Sequence, residues 1–149
     1  MGLHVFRAYK LDEDGTGNSF ETSQAETDTP TLKLTVSPNI LKNGIIRRFH
    51  FRLNPTNAVT YVIRIYQGAH AGNYESQMNK LLDSSDVVAA GADDTEYDAV
   101  DLAVPFTETV ASGADPEGTA ATLYYQITWS GAPGDTTGYI EVDGEWEDF

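Results

Sequence analysis

The sequence predicts an all-β fold, built as a two-sheet antiparallel sandwich of about eight strands with one short helix. Apolar and polar residues alternate with a period of two in seven segments, whereas only one short segment has helical spacing. Loops rich in Gly, Pro and Asn separate these segments at the intervals typical of sandwiches. Eight strands also suit a jelly roll, although one sequence does not fix the order of its strands.

The chain of 149 residues has the length of one domain and shows no internal repeat. Its first predicted strand covers residues 3–11. The polar stretch that follows, residues 12–30, is long for a loop, and Phe20 is its only large apolar residue. The stretch is therefore either an arm or a functional loop, and we predict that it serves as a contact arm. The single domain, residues 1–149, is then divided into a strand plus arm, residues 1–30, and a sandwich body, residues 31–149.

The middle of the chain contains four more alternating or apolar segments. Residues 31–37 alternate cleanly. Residues 45–53 and 59–66 flank the turn residues 54–57, so we predict that these two strands pair as an antiparallel hairpin. Residues 86–89 form a predicted short edge strand.

The one helical match begins at Asn73, a residue type that favours the N-cap position. Tyr74, Met78 and Leu81 or Leu82 follow it at helical spacing. The last three predicted strands cover residues 97–106, 123–129 and 137–146.

The more apolar phase of the alternating strands predicts the hydrophobic core, because successive side chains of a strand point to opposite faces. The predicted core residues are Phe49, Phe51, Ile63, Ile65, Leu102, Val104, Leu123, Tyr125 and Ile127.

Charge is distributed unevenly along the chain, whose formal net charge is −14. All nine Lys and Arg lie within the first eighty residues, whereas residues 81–149 carry sixteen of the 23 Asp and Glu. So acidic a surface repels nucleic acid and anionic membranes, and we expect neither as a partner. It favours cations, basic partners or a saline medium, although acidity also serves solubility alone.

The acidic turn after the first strand has some features of a calcium loop. Asp12, Asp14, Thr16 and Asn18 occupy ligand positions one, three, five and seven of such a loop. Position twelve is Ser23 rather than the bidentate Glu, and no helices flank the segment. We therefore favour an acidic turn without an ion, keep calcium as the alternative, and expect no other cofactor.

Basic residues are concentrated on two predicted strands, and we name them as a candidate partner contact. One interpretation is a contact patch for an acidic surface, such as the acidic half of a second copy. The other is an ordinary solvated strand face whose cations pair with carboxylates across strands. The patch consists of Arg47, Arg48, His50, Arg52 and Arg64.

Catalytic motifs are absent from the sequence, so we predict that the protein is not an enzyme. It has no Cys, no paired-histidine metal spacing and no nucleophile elbow around a serine. Aromatic residues on the last two strands, including Trp129 and Trp146, are either core residues, which we favour, or a platform for sugar rings.

The overall plan resembles that of bacteriophage capsid decoration (cement) proteins and other small virion β-sandwich proteins. The resemblance covers a short first strand, the polar arm over residues 12–30 and a compact body from Thr31 to Trp146, together with strong acidity and no Cys. It implies a homotrimer on the virion surface, where arm and loops bind the major capsid protein shell. No functional residue of this chain can be assigned from the resemblance.

The alternative function is a carbohydrate-binding or adhesion module with a jelly-roll fold. An exposed planar row of Trp and Tyr would favour that alternative, whereas burial of Trp129 and Trp146 would count against it. The start of the chain lacks the long apolar stretch of a signal peptide, so we expect synthesis in the host cytoplasm without one.

Overall fold

The computed structural model describes residues 2–14, 20, 32–37, 43–68, 80–85, 88–89, 96–106 and 122–148. Within these ranges the chain forms eleven β-strands and no helix. Accordingly, no described helix has the length and hydrophobicity that a membrane crossing requires. The strands are β1 (Gly2–Asp12), β2 (Leu32–Lys33), β3 (Thr35–Ser37), β4 (Asn43–Pro55), β5 (Thr60–Gly68), β6 (Lys80–Ser84), β7 (Val88–Ala89), β8 (Tyr97–Ala99), β9 (Val104–Phe106), β10 (Thr122–Trp129) and β11 (Thr136–Asp148).

The strands pair antiparallel in two sheets. The first sheet has the order β3-β1-β11-β4, and both β8 and β9 pair with the other side of β4. The second has the order β2-β10-β5, and both β6 and β7 pair with the other side of β5. The predicted two-sheet antiparallel sandwich is therefore confirmed.

The eleven strands fill eight strand positions, because β2 with β3, β6 with β7 and β8 with β9 are successive pieces of one position each. Numbered along the chain, the positions run 2-1-8-3-6 in the first sheet and 2-7-4-5 in the second. Without β3, which adds position 2 to the first sheet, the two orders are 1-8-3-6 and 2-7-4-5. This is the strand order of a jelly roll. Position 2 spans both sheets, since β2 pairs with β10 and β3 pairs with β1.

The predicted hairpin of residues 45–53 and 59–66 is wrong, because β4 and β5 belong to different sheets. The chain crosses from one sheet to the other at the intervening turn. There the backbone N–H of Thr56 donates to the carbonyl of Asp135, and that of Asn57 to the carbonyl of Pro133. Phe51 and Tyr61 then meet across the sandwich with ring centroids 5.7 Å apart. Alternation alone fits both arrangements, because each strand has one apolar face either way.

The predicted continuous strand over residues 97–106 is also wrong, because β8 and β9 are separate. β4 contains a bulge at Arg47, where the register against β11 shifts. Opposite this bulge the neighbouring chain leaves the sheet, and Asp101 adopts a φ of 56°. Asp is one of the few residue types that tolerate this left-handed conformation. Val100, which lies in this break, is 55% exposed.

The predicted helix from Asn73 falls mostly on residues outside the described ranges. Its last two apolar positions, Leu81 and Leu82, lie instead in strand β6, which pairs with β5. The predicted edge strand over residues 86–89 corresponds to β7 (Val88–Ala89).

The core lies between the sheets and contains most of the residues that the sequence predicts for it. Seven of the nine are at most 1% exposed, whereas Leu102 and Val104 are only half-buried against the cluster. Leu102 lies within the break between β8 and β9 and Val104 directly follows it, which explains their partial exposure. The seven buried residues are Phe49, Phe51, Ile63, Ile65, Leu123, Tyr125 and Ile127.

Phe20 belongs to this core, although it lies within the predicted contact arm. Its side chain is fully buried, and its ring centroid is 6.2 Å from that of Tyr125. Its carbonyl accepts a hydrogen bond of 2.8 Å from the indole N–H of Trp129. The polar stretch is therefore anchored to the sandwich at Phe20, and deleting it whole would also open the core.

Ile127 offers a direct test of the packing. Because its side chain is fully buried, Ile127→Ala should lower the free energy of unfolding by roughly 2–5 kcal/mol. Leu11→Ala, at a position 53% exposed, should change it by about 0.5 kcal/mol or less. Denaturant unfolding of both variants measures the two values. Equal losses would show that the inner and outer phases are misassigned.

Candidate functional site

The outer face of the first sheet is organised around β11, which lies between β1 and β4. Ile140 and Val142 of β11 point into the core and are fully buried. Their neighbours Glu141, Asp143 and Glu145 therefore project from the opposite face. An acidic row thus runs along the middle of this face.

Cations from the two flanking strands pair with this row. On β1, Nε of Arg7 contacts Oε1 of Glu141 and lies 3.4 Å from Oδ1 of Asp143. On β4, Nε of Arg47 lies 3.3 Å from Oε2 of Glu145. Arg7 and Arg47, two cations of the first half of the chain, are therefore paired within the molecule by carboxylates of the second half.

A further ion pair joins β4 to β8. Nε and Nη2 of Arg48 donate to the two carboxylate oxygens of Asp98 at 2.8 and 3.0 Å. This bidentate bond holds the pKa of the Asp98 carboxyl below its ordinary value and raises the pKa of Arg48. Both groups are solvent-exposed, so the pair contributes little stability on its own.

His50 occupies the centre of the face. Its side chain is only 9% exposed, and Nε2 contacts Oε2 of Glu141 and lies 3.5 Å from Oδ2 of Asp143. Among the described residues, neither ring nitrogen makes a hydrogen bond. One ligand atom from each of these three residues lies within 4.8 Å of the other two. Sequence reasoning missed this cluster.

Tyr139 borders the cluster on the side of Glu96. Its ring meets the His50 ring edge-to-face, with centroids 5.5 Å apart, and its hydroxyl donates to Oε1 of Glu96 at 3.0 Å. Burial, and then this hydrogen bond, raise the pKa of the Tyr139 hydroxyl. Tyr139 therefore packs against the His50 ring and holds the Glu96 carboxylate beside it.

Exposed apolar side chains lie on β1 beside the charged rows. Val5 is 78% exposed, Leu11 53% and Tyr9 39%. An open groove of about 720 Å³ is lined by Val5, Arg7 and Asp143, and a second of about 310 Å³ by Tyr9, Leu11 and Tyr139. This side of the face is thus concave and mixes apolar with charged groups.

The predicted basic patch is divided by the fold. Arg47, Arg48, His50 and Arg52 all lie on β4 of the first sheet. Arg64 lies on β5 of the second sheet, where its Nη1 donates to the Thr128 hydroxyl at 3.1 Å. Four of the five residues are brought together, and a partner contact by them stays a prediction.

The predicted calcium ligands lie only partly within the described residues. Asp12 ends β1 and is nearly buried, and its Oδ1 accepts a hydrogen bond of 3.3 Å from the backbone N–H of Asp14. This bond is typical of an Asx turn. Thr16 and Asn18 lie outside the described residues, so calcium binding also stays a prediction.

The aromatic residues of the last two strands are mostly buried. Trp129 is 6% and Trp146 7% exposed, and Tyr124 and Tyr125 are buried as well. These residues therefore do not form an exposed row on which a sugar could stack.

A scan against protein-family models and a search of curated proteins found no match for this chain. The fold and the outer face of the first sheet are therefore the grounds for a functional proposal.

The Arg48–Asp98 pair predicts how stability depends on pH. Because the folded-state pKa of Asp98 is lowered, the pair stabilises the fold above the unfolded-state pKa of 3.8. That contribution is lost as the pH falls through the folded-state value. Asp98→Asn should therefore lower the Tm at pH 7 and lower it less at pH 3. Thermal melts should show Asp101→Asn, an exposed control, unchanged; an Asp98→Asn deficit of equal size at both pH values would contradict the pairing.

Proposed function

We propose that this protein is a non-enzymatic structural protein that decorates and stabilises a bacteriophage capsid. It acts as a homo-oligomer, a trimer, that binds the shell of the major capsid protein at the virion surface. The observation that carries the proposal is the row of exposed apolar residues on β1, beside a strongly ion-paired face. Together they give one side of the molecule the composition of a protein-binding surface.

The exposed apolar row supports docking on a protein surface because exposed apolar patches rimmed by polar groups mark interaction sites. Val5, Tyr9 and Leu11 share one face of one strand and line the two grooves. Their burial against a partner would supply apolar contact area. The paired charges around them would set orientation.

The jelly-roll order is compatible with this proposal, since jelly rolls occur in viral capsid and lectin domains. A fold alone does not specify a function. The overall plan resembles that of capsid decoration proteins, and this resemblance supplies the identity of the partner. The net charge of −14 disfavours nucleic acid in its place.

The carbohydrate-binding alternative loses its main argument with the burial of Trp129 and Trp146. A glycan array screened with the purified protein distinguishes the two functions. Saturable sugar binding would favour the alternative.

Leu11→Glu tests the docking face. A charge placed in the exposed apolar row should weaken binding to shells of the major capsid protein by about tenfold or more, which corresponds to about 1.4 kcal/mol. Val100→Glu is the matched control, because Val100 is equally exposed at 55% but lies at the opposite edge of the sheet. Co-sedimentation with shells prepared without the protein measures both affinities.

Light scattering on the purified protein, before it is mixed with shells, should give the molar mass of three chains. Failure of the unmodified protein to co-sediment with shells would refute the capsid proposal. Equal affinities of Leu11→Glu and Val100→Glu would refute the assignment of the docking face.

A further inference from the structure

The cluster of His50, Glu141 and Asp143 contains two kinds of metal-binding group on two adjacent strands. His50 is on β4 and the two carboxylates are on β11, where Glu141 is the direct partner of His50. Their nearest ligand atoms lie within 4.8 Å of one another. Strand pairing, rather than a flexible loop, therefore fixes the separation of the three groups.

Each carboxylate divides its two oxygens between two neighbours. Oε1 of Glu141 and Oδ1 of Asp143 are turned towards Arg7, whereas Oε2 and Oδ2 are turned towards Nε2 of His50. Arg7 thus orients both carboxylates from the β1 side. Two oxygens and one nitrogen converge on a single point of the face.

The imidazole of His50 is the second, independent observation. Its side chain is nine-tenths buried, and within the described part of the chain neither ring nitrogen makes a hydrogen bond. Nε2 lies against the carboxylates of Glu141 and Asp143, but not in hydrogen-bond geometry. Buried polar atoms normally do make a hydrogen bond, so an exception calls for a physical explanation. A metal ion bound to Nε2 provides that explanation for the nitrogen that points at the two carboxylates.

The donor set selects the class of ion. Imidazole nitrogen suits Zn²⁺ and its first-row neighbours, whereas Ca²⁺ and Mg²⁺ prefer oxygen donors alone. Bonds of about 2.1 Å in a tetrahedral zinc site place two ligand atoms about 3.4 Å apart. The 3.5 Å between Nε2 of His50 and Oδ2 of Asp143 is close to that value. Oε2 of Glu141 is in direct contact with Nε2, so the Glu141 side chain must turn aside to admit the ion.

The surroundings of Nδ1 of His50 fit the same chemistry. Metal-binding histidines usually direct the other ring nitrogen at a carboxylate, carbonyl or water. Nδ1 lies 3.9 Å from Oε1 of Glu96, the carboxylate that Tyr139 holds by a hydrogen bond. Glu96 is therefore placed to accept from Nδ1 after a small movement of its exposed side chain.

We propose that His50, Glu141 and Asp143 bind one divalent first-row metal ion, represented by Zn²⁺, on the outer face of the first sheet. Nε2 of His50, Oε2 of Glu141 and Oδ2 of Asp143 are its protein ligands, and water completes the coordination. Glu96 and Arg7 orient these ligands. The site ties β4 to β11 and does not depend on the proposed docking function.

Isothermal titration of the metal-stripped full-length protein with ZnCl₂ tests the site. One Zn²⁺ should bind per chain, and CaCl₂ at the same concentration should not. His50→Gln should weaken zinc binding by more than about 100-fold, and Glu96→Gln by about 10–100-fold. Binding should weaken as the pH is lowered, since the ligands must be deprotonated.

Two histidine controls separate this site from adventitious binding. His4→Gln and His70→Gln should keep the affinity of the unmodified protein, because the cluster found among the described residues consists of His50, Glu141 and Asp143. Zinc at about 100-fold above its Kd should also raise the Tm by about 5–10 °C in these controls. It should not do so in His50→Gln.

Circular dichroism without metal shows whether each variant is folded. If His50→Gln is unfolded, the near-isosteric variants Glu141→Gln and Asp143→Asn decide the question, and both should lose zinc binding. The proposal is overturned if the unmodified protein binds no zinc. It is equally overturned if folded ligand variants bind as tightly as His4→Gln, or if His70→Gln alone abolishes binding.

Discussion

The insertion of β11 between β1 and β4 is the constraint on which the rest of the structure depends. It pairs the last strand position with the first and third over most of their length, from Asp12–Gly138 to Gly2–Asp148 on one side. This pairing between the two ends of the chain joins β1 to β4 through β11 in the first sheet. It also sets the acidic half of the chain between two strands of the basic half, so the uneven charge of the sequence becomes a set of cross-strand ion pairs.

The same placement gives the outer face its chemical character. Because Glu141, Asp143 and Glu145 of β11 are paired with Arg7 on one side and Arg47 on the other, part of the acidity of this face is matched by cations. His50 is then buried among carboxylates rather than displayed in a basic patch. The apolar side chains of β1 remain exposed at the edge of this network. The proposed docking surface and the proposed metal site therefore lie on the same sheet.

The sequence predicts the parts of the fold that follow from local alternation and leaves open those that depend on pairing. The alternating segments correctly predicted a two-sheet sandwich, and the more apolar side of each strand correctly predicted seven core residues, including Phe49 and Ile127. The hairpin failed because alternation is the same whether two strands pair or face each other. The cluster at His50 was missed because Glu141 lies ninety-one positions further along the chain, and only strand order brings them together.

A cross-strand disulfide tests the central placement of β11 most directly, since the chain has no Cys of its own. Val5 and Glu145 are Cα partners between β1 and β11 on the outer face. Partners at this spacing fall within the reach of a disulfide. The variant Val5→Cys/Glu145→Cys should form an intramolecular disulfide upon mild oxidation, with a native circular dichroism spectrum, whereas Val5→Cys/Asp143→Cys should form it far less. Equal or reversed disulfide yields of the two variants would contradict the register between β1 and β11. They would also contradict the arrangement of charged residues on the outer face of the first sheet.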